Sequence, residues 1–83
     1  MKLLYFSWLR EKIGIAEEDA LPPESVTTVA EVLGWLKSRG SGYETALADL
    51  SLVRVAVNQS YAKLDDPVRP EDEVALFPPV TGG

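Results

Sequence analysis

Hydrophobic and polar residues alternate along several short stretches of the chain, a pattern typical of strands with one face in a core. Residues 53–57 place three valines on one face, and residues 73–77 place Val74 and Leu76 there. Residues 2–7 carry apolar side chains on both faces, which is typical of a strand at the centre of a sheet. With two weaker segments added, the predicted strands are residues 2–7, 18–21, 53–57, 61–64 and 73–77.

One helix is the best specified element of the sequence. Apolar residues recur at the spacing of a single helical face, at Val29, Val32, Leu33 and Leu36. Thr28 and Glu31 have the spacing of a capping box, which starts a helix, and a glycine typical of helix ends follows Arg39. We therefore predict a helix from Thr28 to Arg39. A short helix over residues 8–13 and a second helix or turn over residues 43–50 are also expected.

These elements predict an α+β fold. A chain of 83 residues has room for one domain. With only one sizeable helix, a mixed sheet of four or five strands must wrap around it as a roll. The first and last strands are apolar on both faces, so we place them side by side and parallel at the centre of the sheet. We expect the domain to span residues 1–78 and a flexible C-terminal tail to span residues 79–83.

The composition argues against several classes of function. The chain has 13 acidic and 8 basic residues and a net charge of −5, whereas a duplex-binding domain is expected to be basic. It contains no cysteine and no histidine, which excludes disulfides, thiolate catalysis and the commonest metal ligand. No apolar run approaches the roughly 18 residues of a membrane span, and no signal-peptide pattern is present. We therefore expect a cytoplasmic protein that binds neither nucleic acid nor membrane.

Conventional catalytic groups are few. Adjacent carboxylates occur at residues 17–19 and at Asp65-Asp66, and we expect them to be solvated, since acidic side chains are rarely buried. The serines have no histidine partner, and no glycine-rich phosphate loop follows a strand. We therefore expect neither an autonomous enzyme nor a metal site.

The ending Pro78-Pro79-Val80-Thr81-Gly82-Gly83 is the most unusual part of the sequence. One interpretation is a frayed end or a cloning scar. The other makes the terminal carboxylate of Gly83 the functional group. Gly82 and Gly83 have no side chain, so the tail could enter a narrow channel, where the carboxylate could be activated as an acyl-adenylate. The two prolines would hold the tail away from the body of the domain.

Three aromatic residues form the second unusual feature. If the strand faces are assigned correctly, Phe6 and Phe77 point away from the helix, and Tyr61 joins them from the short return strand. Scattered apolar residues are normal on a protein surface, but a patch on neighbouring strands marks an interface. We therefore expect these residues to form the apolar centre of a protein-binding surface.

Four segments together resemble a known family. They are Leu4-Tyr5-Phe6 with Leu9-Arg10-Glu11 and Gly14, then Val55-Ala56-Val57-Asn58-Gln59, then Asp72-Glu73-Val74-Ala75, and finally Phe77-Pro78-Pro79-Val80-Thr81-Gly82-Gly83. Over its whole length the chain resembles the small subunit of molybdopterin synthase, a ubiquitin-like sulfur carrier of molybdenum-cofactor biosynthesis. The last segment is the most specific. One departure is Pro70-Glu71, where the family often has a glycine before the Asp-Glu pair.

The resemblance implies a β-grasp fold and a carrier cycle. An ATP-consuming activating enzyme would adenylate the Gly83 carboxylate, and a sulfur donor would convert it to a thiocarboxylate. The tail would then enter the large synthase subunit, within a heterotetramer of two copies of each chain, and supply the dithiolene sulfurs of molybdopterin. Phe6, Tyr61, Phe77 and residues 78–81 would contact this partner, which provides the catalytic side chains. No cofactor would be bound permanently.

Other interpretations stay open. The Asp-Glu-Val strand and the diglycine would also suit the sulfur carrier of the thiamine pathway or a ubiquitin-like protein modifier, although Pro78-Pro79 followed by Val80-Thr81 favours the molybdopterin branch. A β-grasp interaction module with an inert tail belongs to a different class. The mass of the protein from its own cells separates carrier from module, because a thiocarboxylate replaces one oxygen atom by sulfur.

Overall fold

The computed structural model describes residues 1–79 and shows one five-stranded sheet with three helices in that part of the chain. The strands are β1 (Lys2–Tyr5), β2 (Glu17–Asp19), β3 (Arg54–Val57), β4 (Ser60–Ala62) and β5 (Glu73–Phe77). The helices are α1 (Ser7–Ile13), α2 (Val29–Lys37) and α3 (Ser41–Ala46), and a 3₁₀ turn covers Leu50–Leu52. Across the sheet the strand order is β2-β1-β5-β3-β4. Among the described helices, none combines the length and the hydropathy that a membrane span needs.

The first and last strands are adjacent and parallel, as predicted, and β5 occupies the centre of the sheet. Leu3 is in register with Val74, and Tyr5 is in register with Leu76. All four side chains are buried in the core. On its other edge β5 pairs with β3 in the antiparallel sense, so both of its edges are hydrogen-bonded.

Helix α2 packs against the sheet and supplies core residues at the predicted positions Val29, Val32, Leu33 and Leu36. Oγ1 of Thr28 accepts a hydrogen bond from the backbone N–H of Glu31 at 3.3 Å. In return, Oε1 of Glu31 accepts one from the backbone N–H of Thr27 at 3.0 Å. The first bond satisfies an amide group that the first helical turn leaves without a partner, and the second ties the residue before the N-cap to the helix. The predicted α+β roll is therefore confirmed, and it is a β-grasp arrangement.

Element boundaries differ from the prediction at several places. α2 ends at Lys37, with Ser38 as its C-cap, instead of at Arg39, and Gly40 is the N-cap of α3. β1 ends at Tyr5 instead of at residue 7, and β4 covers Ser60–Ala62 instead of residues 61–64.

β2 covers Glu17–Asp19 instead of residues 18–21, because its ladder ends with the Ala20 N–H bonded to the Met1 carbonyl, and two prolines without N–H groups follow. In place of one helix or turn over residues 43–50, the chain forms α3 over Ser41–Ala46 and a separate 3₁₀ turn over Leu50–Leu52. That turn begins where the Asp49 side chain accepts a hydrogen bond from the Ser51 N–H at 3.1 Å.

Candidate partner-binding surface

The face of the sheet opposite α2, which we call the outer face, carries a row of apolar side chains across four strands. Cross-strand register defines this row as Leu4, Ala75, Ala56 and Tyr61. A second row lies nearer the end of β5 and contains Phe77 beside Arg54. The alternation of strand side chains puts these residues on the opposite side from the buried valines and leucines. The outer face is therefore apolar at its centre.

Tyr61 and Phe77 are in contact on the outer face. Their ring centroids lie 5.8 Å apart, and the ring planes are inclined at 52°. Tyr61 is paired with Ala56 on β3, and Ala56 is paired with Ala75 on β5, two residues before Phe77. Because alanine is small, the two rings can meet diagonally above β3. Tyr61 is 78% exposed, so this aromatic pair faces solvent.

Phe6 extends the second row, that of Phe77 and Arg54, on the β1 side of β5. Its backbone N–H donates to the Leu76 carbonyl at 3.1 Å, which continues the parallel pairing by one step and brings Phe6 into register with Phe77. The next residue, Ser7, has a φ of 57° and starts α1, so the strand ends there. Phe6 is 49% exposed. The three aromatic residues that the sequence singled out therefore share the outer face.

A hollow of about 400 Å³ adjoins the aromatic pair at the end of β5. Its walls are Arg54, Val55, Tyr61, Ala62, Phe77 and Pro79. Pro78 and Pro79 are partly buried and continue the chain directly from Phe77. The point from which the tail leaves the domain is therefore next to the aromatic pair.

Four predicted tail residues lie outside the described residues: Val80, Thr81, Gly82 and Gly83. The flexibility of the tail therefore stays a prediction. The structure brings together Phe6, Tyr61, Phe77 and the start of the tail. Their roles in binding a partner, and the roles of Gly82 and Gly83 in the carrier chemistry, stay predictions.

Arg54 is an outer-face residue near the start of the tail that the sequence interpretation passed over. The alternation of residues 53–57 assigns its side chain to the outer face, and the register between β3 and β5 places it beside Phe77. Its Nη1 donates to the backbone carbonyls of Ser51 at 3.3 Å and Val53 at 3.2 Å. A cation is therefore held at the edge of an apolar surface.

Glu18 contradicts the expectation that the carboxylates of residues 17–19 are all solvated. Its side chain is only 15% exposed. It accepts hydrogen bonds from the hydroxyls of Tyr5 at 2.7 Å and Tyr43 at 2.5 Å. Nη1 of Arg39 donates to the same carboxylate at 2.9 Å. These contacts join β1, β2 and α3 to the segment that follows α2, so Glu18 is a structural anchor at the opposite edge of the sheet from Tyr61.

The contacts around Glu18 shift the pKa of its carboxyl group and the pKa values of the two tyrosine hydroxyls. Burial by itself opposes ionisation of Glu18, but hydrogen bonds from the two tyrosines and from Arg39 outweigh it and hold the pKa of that carboxyl below its ordinary value. Burial, followed by the hydrogen bond to Glu18, raises the pKa of both tyrosine hydroxyls. At neutral pH the carboxylate is therefore charged and the tyrosines are neutral. Within residues 1–79, no three acidic side chains are grouped as metal ligands.

Comparison with known proteins identifies relatives that match the whole chain. The family model described as "ThiS family" matches residues 3–83, which includes the whole tail. A molybdopterin synthase sulfur carrier subunit from Haemophilus influenzae is 39% identical, and the match covers 100% of this chain and 99% of that protein. A protein of the same name from Escherichia coli is 35% identical, with 100% of this chain and 99% of the relative covered.

Two solved structures have the same fold. One is a candidate subunit 1 of molybdopterin converting factor from Pyrococcus furiosus, with a TM-score of 0.78, 30% identity and 95% coverage of both chains. The other is small archaeal modifier protein 1 of Haloferax volcanii, with a TM-score of 0.75, 28% identity, and 96% of this chain and 97% of that chain covered. These likenesses confirm the β-grasp fold and the resemblance to the molybdopterin synthase small subunit. The chain belongs to the ThiS family.

Proposed function

We propose that this chain is the sulfur carrier of a molybdopterin synthase, with Gly83 as the terminal residue that carries the sulfur. The observation that supports the proposal most strongly is the family match, which extends through the last residue. Relatives named molybdopterin synthase sulfur carrier subunits are similar over the full length, tail included. The proposal also explains why a chain without cysteine or histidine can take part in sulfur chemistry.

The reactive group in this proposal is the α-carboxylate of Gly83. At neutral pH a carboxylate is ionised and its carbon is a poor electrophile, because the charge is shared between both oxygens. A carboxylate oxygen therefore first attacks the α-phosphorus of ATP on an activating enzyme, and pyrophosphate leaves. Hydrosulfide then attacks the acyl-adenylate carbon and displaces AMP, which leaves a thiocarboxylate.

In the next step the thiocarboxylate enters the active site of the large synthase subunit. Two carriers in turn supply the two dithiolene sulfurs of a pyranopterin precursor, and the large subunit provides the catalytic side chains. The outer face is suited to hold the carrier in place, because Tyr61 and Phe77 lie beside the start of the tail and Phe6 is exposed on the same face. Interface centres are rich in aromatic residues, so Phe6, Tyr61 and Phe77 are the proposed anchors.

The test is reconstitution from purified proteins of the same genome. The chain is incubated with the activating enzyme, ATP and a sulfide source, and its intact mass is measured. The expected product is heavier by the difference between one sulfur and one oxygen atom. When the large subunit and the pyranopterin precursor are added, we expect dithiolene product and a return to the original mass. Thiocarboxylate formation without dithiolene product would instead favour the carrier of another pathway, such as that of thiamine.

Protein modification is a second candidate function. It is favoured by the likeness to small archaeal modifier protein 1, which extends over 96% of this chain. In that case Gly83 would be joined to lysine side chains of other proteins after adenylation. Mass spectrometry of a lysate from the native cells would then detect the C-terminal segment of this chain on lysine residues, and the dithiolene assay would give no product.

A further inference from the structure

Arg54 is an isolated positive charge on the outer face. Within residues 1–79, the ion pairs of the structure are Lys2–Glu17 and Arg39–Glu18, and Arg54 takes part in neither. It lies in the same row as Phe77 and lines the hollow at the start of the tail. Arginine, unlike lysine, aspartate and glutamate, is enriched in protein interfaces together with aromatic residues, so a cation at the edge of this apolar surface is suited to contact a partner.

The guanidinium group of Arg54 is oriented by its own strand. Both hydrogen bonds that it makes within residues 1–79 use Nη1, which donates to the carbonyls of Ser51 and Val53. Arginine has five N–H donors in a planar fork, so the edge formed by Nε and Nη2 has no acceptor in this part of the chain. That edge matches the two oxygens of a carboxylate. The side chain is thus held in place for a bidentate contact.

Binding of a partner over Phe77 and Tyr61 would remove water from Arg54 as well. Removing a guanidinium from water without giving it a partner is strongly unfavourable. The partner must therefore place a negative group opposite the free edge. A carboxylate satisfies both the charge and the fork geometry, whereas a single carbonyl oxygen satisfies neither.

We infer that an aspartate or glutamate of the large synthase subunit enters the hollow beside Phe77 and forms a bidentate ion pair with Arg54. The inference rests on the proposed function, since that function identifies the partner. The large subunit is chosen over the activating enzyme because the relatives are named as subunits of the synthase, and a lasting subunit interface removes water from Arg54 most completely. The ion pair would fix the position of the tail relative to the aromatic anchors.

The test measures the dissociation constant between the full-length chain and the large subunit from the same genome. Arg54→Met keeps much of the apolar stem but removes the charge, and we expect binding to weaken about 10- to 100-fold. Arg54→Lys keeps the charge without the fork and should fall between wild type and the methionine variant. Arg54→Glu should bind most weakly, because two carboxylates would then face each other.

Arg69→Glu is the matched control for Arg54→Glu. It makes the same change in charge at an exposed position before the start of β5, away from the tail. This control should bind like wild type, and thermal unfolding should show that every variant is folded.

Wild-type affinity in Arg54→Met or Arg54→Glu would overturn the ion pair while leaving the proposed function intact. If Arg54→Met is adenylated faster while its affinity for the large subunit is unchanged, Arg54 pairs with the terminal carboxylate of its own chain. That result would also overturn the inference. A wild-type chain that does not bind the large subunit would overturn the proposed function as well.

Discussion

Glu18 is a single side chain that accepts hydrogen bonds from three polar side chains beside the core. Its partners Tyr5, Arg39 and Tyr43 lie 13, 21 and 25 residues away in sequence. A carboxylate that is nearly removed from solvent is stable only when charged or hydroxyl donors surround it. No spacing of neighbouring residues in the sequence indicates such a cluster, so the expectation that Glu18 is solvated was wrong. The fold had to bring its donors together first.

This cluster predicts a specific pH dependence of stability. Glu18→Gln should lower the free energy of unfolding by about 1–3 kcal/mol at pH 7, because three donors lose a charged acceptor. The folded-state pKa of Glu18 lies below its ordinary value of 4.5, so its contribution is complete above that value and is lost as the pH falls through the lower folded-state pKa. Urea unfolding of both proteins from pH 7 to pH 2 should therefore show the difference shrinking in acid.

Glu17→Gln is the control for this experiment. Glu17 neighbours Glu18 but is exposed, with a loose ion pair to Lys2 at 3.8 Å. Its substitution should leave stability almost unchanged at every pH, since exposed ion pairs contribute little. Equal effects of the two substitutions, or a constant difference across the pH range, would contradict the anchoring role of Glu18.

Among the elements, α1 and α3 show a contact that depends on the absence of a side chain. A Cβ atom placed on Gly42 of α3 would lie 2.6 Å from the backbone carbonyl oxygen of Lys12 in α1. Gly34 in α2 has no such neighbour, because nothing lies within 4 Å of its Cβ position. Both glycines are helical, yet only Gly42 is required by packing.

These two glycines give opposite predictions for the same substitution. Gly34→Ala should raise the free energy of unfolding by about 0.5–1 kcal/mol, since alanine has the higher helix propensity and meets no obstacle. Gly42→Ala should lower it by about 1–3 kcal/mol, because backbone atoms must move apart. Thermal or urea unfolding of both variants measures the contrast. A stabilising Gly42→Ala would mean that α1 and α3 do not pack this closely.

At this scale the sequence predicted most of the elements, and the physical reasons are local. The apolar run of residues 2–7 identified the first strand, and alternation identified the last one. The capping box at Thr28 fixed the start of α2. The exact extent of β2 was missed, because it is set by the partner strand and not by its own acidic residues. The contact of Gly42 with α1 is equally invisible in the sequence, since it joins residues that are far apart along the chain.

For the whole molecule, the central feature is a sheet whose outer face is apolar near the start of the tail. The sequence predicted which aromatic residues share this face, because strand alternation and the parallel central pair determine it. It did not predict the contact between Tyr61 and Phe77 or the position of Arg54 beside them. Those features depend on the register between β3, β4 and β5, which a single sequence does not specify.

Phe77→Asp tests the outer face as a binding surface. We expect affinity for the large subunit to fall at least about tenfold, because an anchor in the centre of the interface becomes a buried charge. Phe77 is only partly buried, so the melting temperature should fall modestly. Leu21→Asp is the control, since Leu21 is 81% exposed and lies after β2, at the opposite edge of the sheet. It should bind normally. A collapse of stability in Phe77→Asp would instead identify Phe77 as a core residue.

The most direct test of the account is to delete Gly83 and measure ATP-dependent adenylation by the activating enzyme. The deletion moves the carboxylate back by about 3.5 Å along an extended chain. A shift of about 1 Å can already reduce a rate about 100-fold, so the deleted protein should not be adenylated, should form no thiocarboxylate and should give no dithiolene product. Its unfolding should match that of the full chain. Adenylation and dithiolene formation at wild-type rates would contradict the central claim that the Gly83 carboxylate is the functional group.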